Sequence, residues 1–125
     1  APGARGGRGA QAAMSEPVDV MALADLEEGT AHRVEVAGRP VCLVRLGDEV
    51  HGVHDVCTHA RESLSAGWVD GERIECPRHG ALFSMRSGAV LSPPASRDLP
   101  TFPVSVRDGR VLVDPTPSHP HPLVD

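Results

Sequence analysis

Two short segments of this sequence, Cys57-Thr58-His59 and Cys76-Pro77-Arg78-His79-Gly80, decide how the rest of it is interpreted. Each segment places a cysteine and a histidine close together, so each can present a thiolate and an imidazole to the same point in space. The two segments together offer four metal ligands from loops of similar design. We therefore expect the remainder of the chain to be a scaffold that holds two ligand loops side by side.

Short alternating segments and frequent turns predict an all-β domain around these loops. Residues 32–36 alternate between outward charged and inward apolar side chains, which is the period of a half-buried strand. Asp70-Gly71 and Asp108-Gly109 are typical of tight hairpin turns. One ligand loop follows a predicted strand at 49–56, and the other follows a predicted hairpin at 68–75. The pattern therefore predicts an antiparallel β sandwich or barrel, without a long helix, whose adjacent strand ends carry both loops.

Composition and charge limit the partners and the compartment. The 125 residues are enough for one domain, and the formal net charge of −5 makes nucleic acid an unsuitable partner. An acidic body is better matched to a positively charged protein surface. Three cysteines, two of them next to histidines, favour metal binding over a disulfide framework and indicate a reducing compartment. No signal peptide or membrane span is evident, so we expect a soluble, cytoplasmic protein.

Two cysteines and two histidines are compatible with two kinds of metal centre. One is a single tetrahedral zinc ion, and the other is a [2Fe-2S] cluster with both cysteines on one iron and both histidines on the other. Zinc sites usually take like ligands from one short loop, whereas each loop here supplies one ligand of each type. The order of the ligands favours the dinuclear cluster, and a structural zinc-binding module is the alternative.

The pattern Cys-x-His followed, after a gap, by Cys-x-x-His resembles the Rieske iron–sulfur family. The resemblance extends from about Val20 to Val113 and includes Leu64-Ser65-Ala66-Gly67 and Phe102-Pro103-Val104. It implies a Rieske-like fold with a small cluster-binding subdomain and one Rieske-type [2Fe-2S] cluster. It also implies that two cysteines bind the inner iron and two histidines bind the outer, more exposed iron. The implied ligands are Cys57, Cys76, His59 and His79.

The function implied by this resemblance is electron transfer. Small members of the family are ferredoxins that carry one electron from a flavin-dependent ferredoxin reductase to a terminal oxygenase or another acceptor, and they are not enzymes themselves. Ferredoxin components of aromatic-ring dioxygenases are similar, and the small Rieske subunit of a nitrite reductase is a further alternative. A terminal oxygenase would need a second, mononuclear iron site, for which this chain has no room.

Four positions predict a low reduction potential. High-potential members of the family have an extra cysteine in each loop, together with a serine and a tyrosine that donate hydrogen bonds to the sulfurs. The corresponding positions here are Ala60, Arg78, Ala81 and Phe83. We therefore expect a midpoint near the bottom of the range of roughly −150 to +300 mV that Rieske centres span.

The resemblance also divides the chain. Residues 1–13 are expected to be a disordered leader or tag, and residues 14–115 to be the Rieske domain, with its cluster-binding part at about 55–95. Residues 116–125 are expected to be a disordered tail rich in proline and histidine.

Five supporting features have individual predictions. Pro93-Pro94 is expected to form a rigid flap over the cluster, and Gly80 to allow the backbone to turn close to it. Cys42 and Trp68 are expected to lie in the hydrophobic core, and Arg61 to be a solvated side chain next to His59.

Overall fold

The computed structural model describes residues 16–124. The predicted leader lies outside the described residues. Ten strands and two short 3-10 turns, Leu23–Asp25 and Leu64–Ala66, make up the regular structure of the described part. The strands are β1 (Val18–Ala22), β2 (Ala31–Val36), β3 (Arg39–Leu46), β4 (Glu49–His54), β5 (Trp68–Asp70), β6 (Arg73–Glu75), β7 (Leu82–Ser84), β8 (Thr101–Phe102), β9 (Val104–Arg107) and β10 (Arg110–Val113).

The strands form three antiparallel sheets, in the orders β1-β10-β9, β2-β3-β4-β8 and β5-β6-β7. The expected hairpins are present, with β5 paired to β6 and β9 paired to β10. Between residues 16 and 124 the only helical segments are the two 3-10 turns. The predicted all-β, antiparallel fold is therefore confirmed.

The central strand β3 explains why the molecule has two hydrophobic cores. The four central residues of this strand, Val41 to Val44, are all buried, because the strand is covered on both faces. Cys42 and Val44 point into one core, and Val41 and Leu43 point into the other. The second core packs against the sheet β1-β10-β9, and the first, here named the loop-side core, lies beneath the sheet β5-β6-β7.

The sheet β5-β6-β7 forms the small subdomain expected for the ligand loops. Val69, Ile74 and Phe83 are in register across its three strands and pack into the loop-side core. Trp68 lies on the opposite face and is 59% exposed, so its predicted place in the core is wrong. Because successive residues of a strand point to opposite faces, burying Val69 turns its neighbour outward.

The C-terminal residues also differ from the expectation. The chain beyond β10 continues as an irregular segment with several bends. Its amides at Asp114 and Ser118 donate to the carbonyls of Pro103 and Thr101 respectively. His121 is buried, with 5% of its surface exposed. The predicted disorder of this segment is therefore wrong for the residues up to 124.

Candidate metal centre

The two ligand loops leave adjacent parts of the structure, and each is closed by its own backbone. In the first loop, which follows β4, the amide of Cys57 donates to the carbonyl of Glu62 at 3.0 Å. In the second loop, between β6 and β7, the amide of Cys76 donates to the carbonyl of Ala81 at 2.8 Å. The prediction that both loops hang from strand ends is thus confirmed.

The second loop needs an unusual backbone conformation. His79 and Gly80 have φ values of 71° and 74°, in the left-handed region. Glycine reaches this region without steric cost, whereas a residue with a side chain reaches it only when its surroundings hold it there. The turn role predicted for Gly80 is confirmed, and the strained residue beside it is one of the four candidate ligands.

The two candidate sulfur ligands lie side by side in the interior. Cys57 and Cys76 are both fully buried members of the loop-side core. The pKa of Cys76 is raised to about 11, chiefly by burial and to a smaller extent by the neighbouring Cys57, against the opposing effect of the Arg78 backbone amide. Because the raised pKa keeps the proton on the Cys76 thiol at neutral pH, a bound cation is what would convert this thiol to the thiolate.

Backbone amides are aimed at both sulfurs. The amide of His59 donates to the Sγ of Cys57 at 3.4 Å. The backbone amide of Arg78 donates a hydrogen bond to the sulfur of Cys76. Ala81 and Phe83, which stand at the hydroxyl positions of high-potential relatives, are fully buried and have no hydroxyl to offer. The hydrogen bonds expected at the sulfurs are therefore those of the backbone.

The two candidate nitrogen ligands lie on the outer side of the same site. The Nε2 of His59 is 2.8 Å from the Nδ1 of His79, and the ring centroids are 5.1 Å apart. His79 is exposed and His59 is partly buried. The site therefore has a buried sulfur end and a solvent-facing nitrogen end.

This arrangement fits a dinuclear cluster better than a single zinc ion. Two thiols at one end and two imidazoles at the other match a [2Fe-2S] cluster that takes two ligands on each iron. The donor set present in the chain is therefore suitable for that group.

A buried carboxylate that the sequence analysis did not identify holds the first loop in shape. Asp55 is fully buried just after β4 and accepts hydrogen bonds from the hydroxyl of Ser63 at 2.5 Å and the amide of Ser65 at 2.8 Å. Arg33 lies 3.7 Å from the same carboxylate. Asp55 lies just before the first ligand loop, and Ser63 and Ser65 lie at its end. The hydrogen bonds to the Asp55 carboxylate therefore hold the two ends of this loop together. The one signal in the sequence is an acidic residue placed between the end of β4 and the first Cys-x-His segment.

Two further contacts join the first loop to its neighbours. Arg78 of the second loop pairs with Glu62 of the first at 2.8 Å, although both side chains are too exposed for the pair to add much stability. The hydroxyl of Thr58 donates to the carbonyl of Arg97 at 2.6 Å. This second contact links the site to the loop that contains Pro93-Pro94, whose two prolines are exposed.

The remaining predictions about single residues have mixed outcomes. Cys42 is fully buried in the loop-side core, as expected. Arg61 is exposed, as expected for a solvated side chain, but its guanidinium also donates to the carbonyl of Leu123 at 3.1 Å. That contact was not foreseen.

The family follows from comparison with known proteins. Residues 16–103 match the model of the Rieske [2Fe-2S] domain. The chain therefore belongs to the Rieske [2Fe-2S] family, and its cofactor is one [2Fe-2S] cluster of the Rieske type.

Individual relatives define the kind of Rieske protein. Ferredoxin CarAc of Metapseudomonas resinovorans is 41% identical over 95 residues, which are 75% of this chain and 89% of that protein. The ferredoxin component of the naphthalene 1,2-dioxygenase system of Pseudomonas putida is 32% identical over 97 residues, or 78% of this chain and 93% of that protein.

A solved structure shows the same likeness in three dimensions. It is a complex of reduced oxygenase and oxidised ferredoxin in carbazole 1,9a-dioxygenase, with a TM-score of 0.80 and 36% identity over 85% of this chain and 99% of the matched chain. With relatives of this kind, the protein is an electron carrier of the ferredoxin type and not a catalytic enzyme.

Proposed function

We propose that Cys57 and Cys76 bind the inner iron of the cluster and that His59 and His79 bind the outer iron. The observation that carries this assignment is the polarity of the site, in which the two cysteines are fully buried and the imidazoles lie on the solvent side. When bound, the cluster accepts and releases one electron. The buried cysteines would hold the cluster in the interior, and the exposed imidazole of His79 would give the electron a short path to a partner protein.

We further propose that the chain carries electrons from a flavin-dependent ferredoxin reductase to the terminal oxygenase of an aromatic-ring dioxygenase system. Support comes from the relatives, which include a dioxygenase ferredoxin component and a ferredoxin solved in complex with an oxygenase. The net charge of −5 fits a partner with a basic docking surface and does not fit nucleic acid.

The proposed compartment is the cytoplasm. All three cysteines are free in the structure, which fits a reducing environment. In the part of the chain that the structure describes, no helix has the length and hydrophobicity needed to cross a membrane.

The ligand assignment is tested by spectroscopy on the purified protein and on single variants. We expect two irons and two acid-labile sulfides per chain, visible absorption, and a rhombic electron paramagnetic resonance signal after reduction. His79→Cys is expected to lower the midpoint potential, because a thiolate adds negative charge to the centre. His32→Cys, at an exposed position on β2, is the matched control and should leave the midpoint unchanged.

Three outcomes would contradict the assignment. A colourless protein with one tightly bound zinc would identify the structural zinc module instead. An unchanged midpoint and spectrum in His79→Cys would remove that residue from the ligand set. A shift in His32→Cys as large as that in His79→Cys would show that the effect is not specific to the site.

The partner assignment is tested by reconstitution. The holoprotein is mixed with NADH, a flavin-dependent ferredoxin reductase and the oxygenase of an aromatic-ring dioxygenase, and product formation is followed with and without the chain. Turnover that needs this chain supports the proposal. Transfer only to a nitrite reductase would favour the alternative.

A further inference from the structure

The segment after β10 forms a strap, defined here as residues 114–124, that runs from β8 to the first ligand loop. Near its middle the amide of Ser118 donates to the carbonyl of Thr101, and the amide of Thr101 donates to the hydroxyl of Ser118, both at 2.9 Å. At its far end the strap contacts the loop that contains Cys57 and His59. The strap lies beyond the residues matched by the family model, which end at 103.

His121 makes the central contact of the strap. Its Nε2 donates to the carbonyl of Val56 at 2.8 Å, and its Nδ1 accepts from the amide of Leu123 at 3.0 Å. Since a carbonyl can only accept and an amide can only donate, this pattern defines one neutral tautomer with both nitrogens satisfied. His121 is 5% exposed, and the centroid of its ring lies 4.6 Å from the centroid of the His54 ring. The imidazole is therefore held from several sides.

A second contact lies on the other side of the candidate ligands. Arg61 donates from its guanidinium to the carbonyl of Leu123 at 3.1 Å. Val56 directly precedes Cys57, and Arg61 follows His59 after one residue. The strap thus grips the loop at both edges of the Cys-x-His segment.

We propose that His121 is a positioning residue for the cluster, acting through the strap to hold the first ligand loop in its binding shape. This inference rests on the proposed ligand assignment. Opening of the first ligand loop at Val56 breaks the hydrogen bond from His121, so this bond opposes an opening that would release the cluster. A loop without that bond opens more often and releases the cluster faster.

The test compares three single variants in the holoprotein. His121→Leu removes the N–H donor at similar volume, and His121→Gln restores an N–H donor close to the position of the imidazole Nε2. His32→Leu makes the same change at an exposed histidine of β2, outside the strap, and serves as the control. Cluster release is followed by the decay of visible absorption in excess chelator, together with hydrogen exchange and the paramagnetic resonance line shape of the reduced protein.

We expect His121→Leu to release the cluster up to about tenfold faster, since one buried hydrogen bond contributes up to about 1.4 kcal/mol and that energy corresponds to a factor of ten. Faster exchange should be confined to the first loop and the strap, the resonance lines should broaden, and His121→Gln should recover most of the wild-type lifetime. His32→Leu should behave like the wild type.

The inference is overturned if His121→Leu and His32→Leu release the cluster at the same rate. It is also overturned if exchange rises throughout the protein and His121→Gln gives no recovery, because His121 would then only stabilise the fold. A wild-type protein that binds no [2Fe-2S] cluster at Cys57 would instead contradict the ligand assignment.

Discussion

Replacing the buried carboxylate of Asp55 should damage the site without touching any candidate ligand. Asp55→Ala removes the acceptor for the Ser63 hydroxyl and the Ser65 amide, whose donors lie 2.5 and 2.8 Å away. Asp55→Asn keeps nearly the same shape and retains an acceptor for the amide, but it removes the negative charge. The two variants therefore separate the hydrogen bonds of Asp55 from its charge.

The cost of Asp55→Ala can be derived from these contacts. A hydrogen bond to a charged group contributes about 1.5–3 kcal/mol, so the two bonds together contribute about 3–6 kcal/mol. The ion pair with Arg33 adds little, since that side chain is 51% exposed and its nitrogen lies 3.7 Å away. A domain of this size has only about 5–15 kcal/mol of total stability, so Asp55→Ala should be close to unfolding.

The charge of Asp55 should also be felt by the cluster. Removing a buried negative charge makes it easier to add an electron nearby, so Asp55→Asn should raise the midpoint potential. Arg33→Gln removes a positive charge from the same carboxylate and should move the midpoint in the opposite direction, by less because Arg33 is more exposed. The magnitude of the second shift is limited by solvent screening.

The assays are urea unfolding for stability and a dye-mediated redox titration for the midpoint. A loss below about 1 kcal/mol in Asp55→Ala would refute the reasoning about the hydrogen bonds, since it is less than one such bond is worth. A midpoint that falls in Asp55→Asn, or that shifts the same way in Arg33→Gln, would refute the reasoning about the charge.

Three more predictions test other parts of the structure. Gly67→Ala should cost about 1–3 kcal/mol in unfolding experiments and lower the iron content, because a Cβ there would overlap with the carbonyl of Glu75, directly before Cys76; Gly71→Asn, at an open turn position with φ +60°, should be tolerated. Burial first, and then the charge of Asp55, raises the pKa of the Cys42 thiol, so this thiol should resist alkylation in the folded holoprotein. The raised pKa also makes stability depend on pH. The contribution of Cys42 to the free energy of unfolding should be complete below the unfolded-state pKa of about 8.5 and should decline as the pH rises above that value. The wild-type midpoint should lie near the bottom of the range of roughly −150 to +300 mV, because Ala81 and Phe83 offer the sulfurs no hydroxyl, and a strongly positive value would contradict this.

The features that could be predicted from the sequence are those set by local chemistry. Asp-Gly pairs favour tight hairpins, and Asp108-Gly109 forms the turn between β9 and β10. The hairpin expected at Asp70-Gly71 is also present, with its turn one residue later, at Gly71 and Glu72. The spacing of the cysteines and histidines within the two ligand segments indicated the family in the same way. Both signals are contained in a few neighbouring residues, so no knowledge of the tertiary structure is needed to interpret them.

The features that were missed depend on contacts between distant parts of the chain. Nothing near Trp68 in the sequence shows which face of β5 is covered. The face that carries Val69 packs against the loop-side core, which leaves Trp68 on the exposed face. The proline-rich surroundings of His121 are typical of disorder, whereas its buried position depends on the distant carbonyl of Val56 and the distant ring of His54. Asp55 likewise has its partners on the far side of the loop.

The exposure of Trp68 gives this protein a built-in optical reporter. It is the only tryptophan of a chain that has no tyrosine, so nearly all the ultraviolet fluorescence comes from one indole. That indole stands on the outer face of β5, opposite Glu75 and therefore one residue from the second ligand loop. Because the emission of an indole shifts when water is removed from it, docking of a redox partner over this face can be timed without attaching a dye.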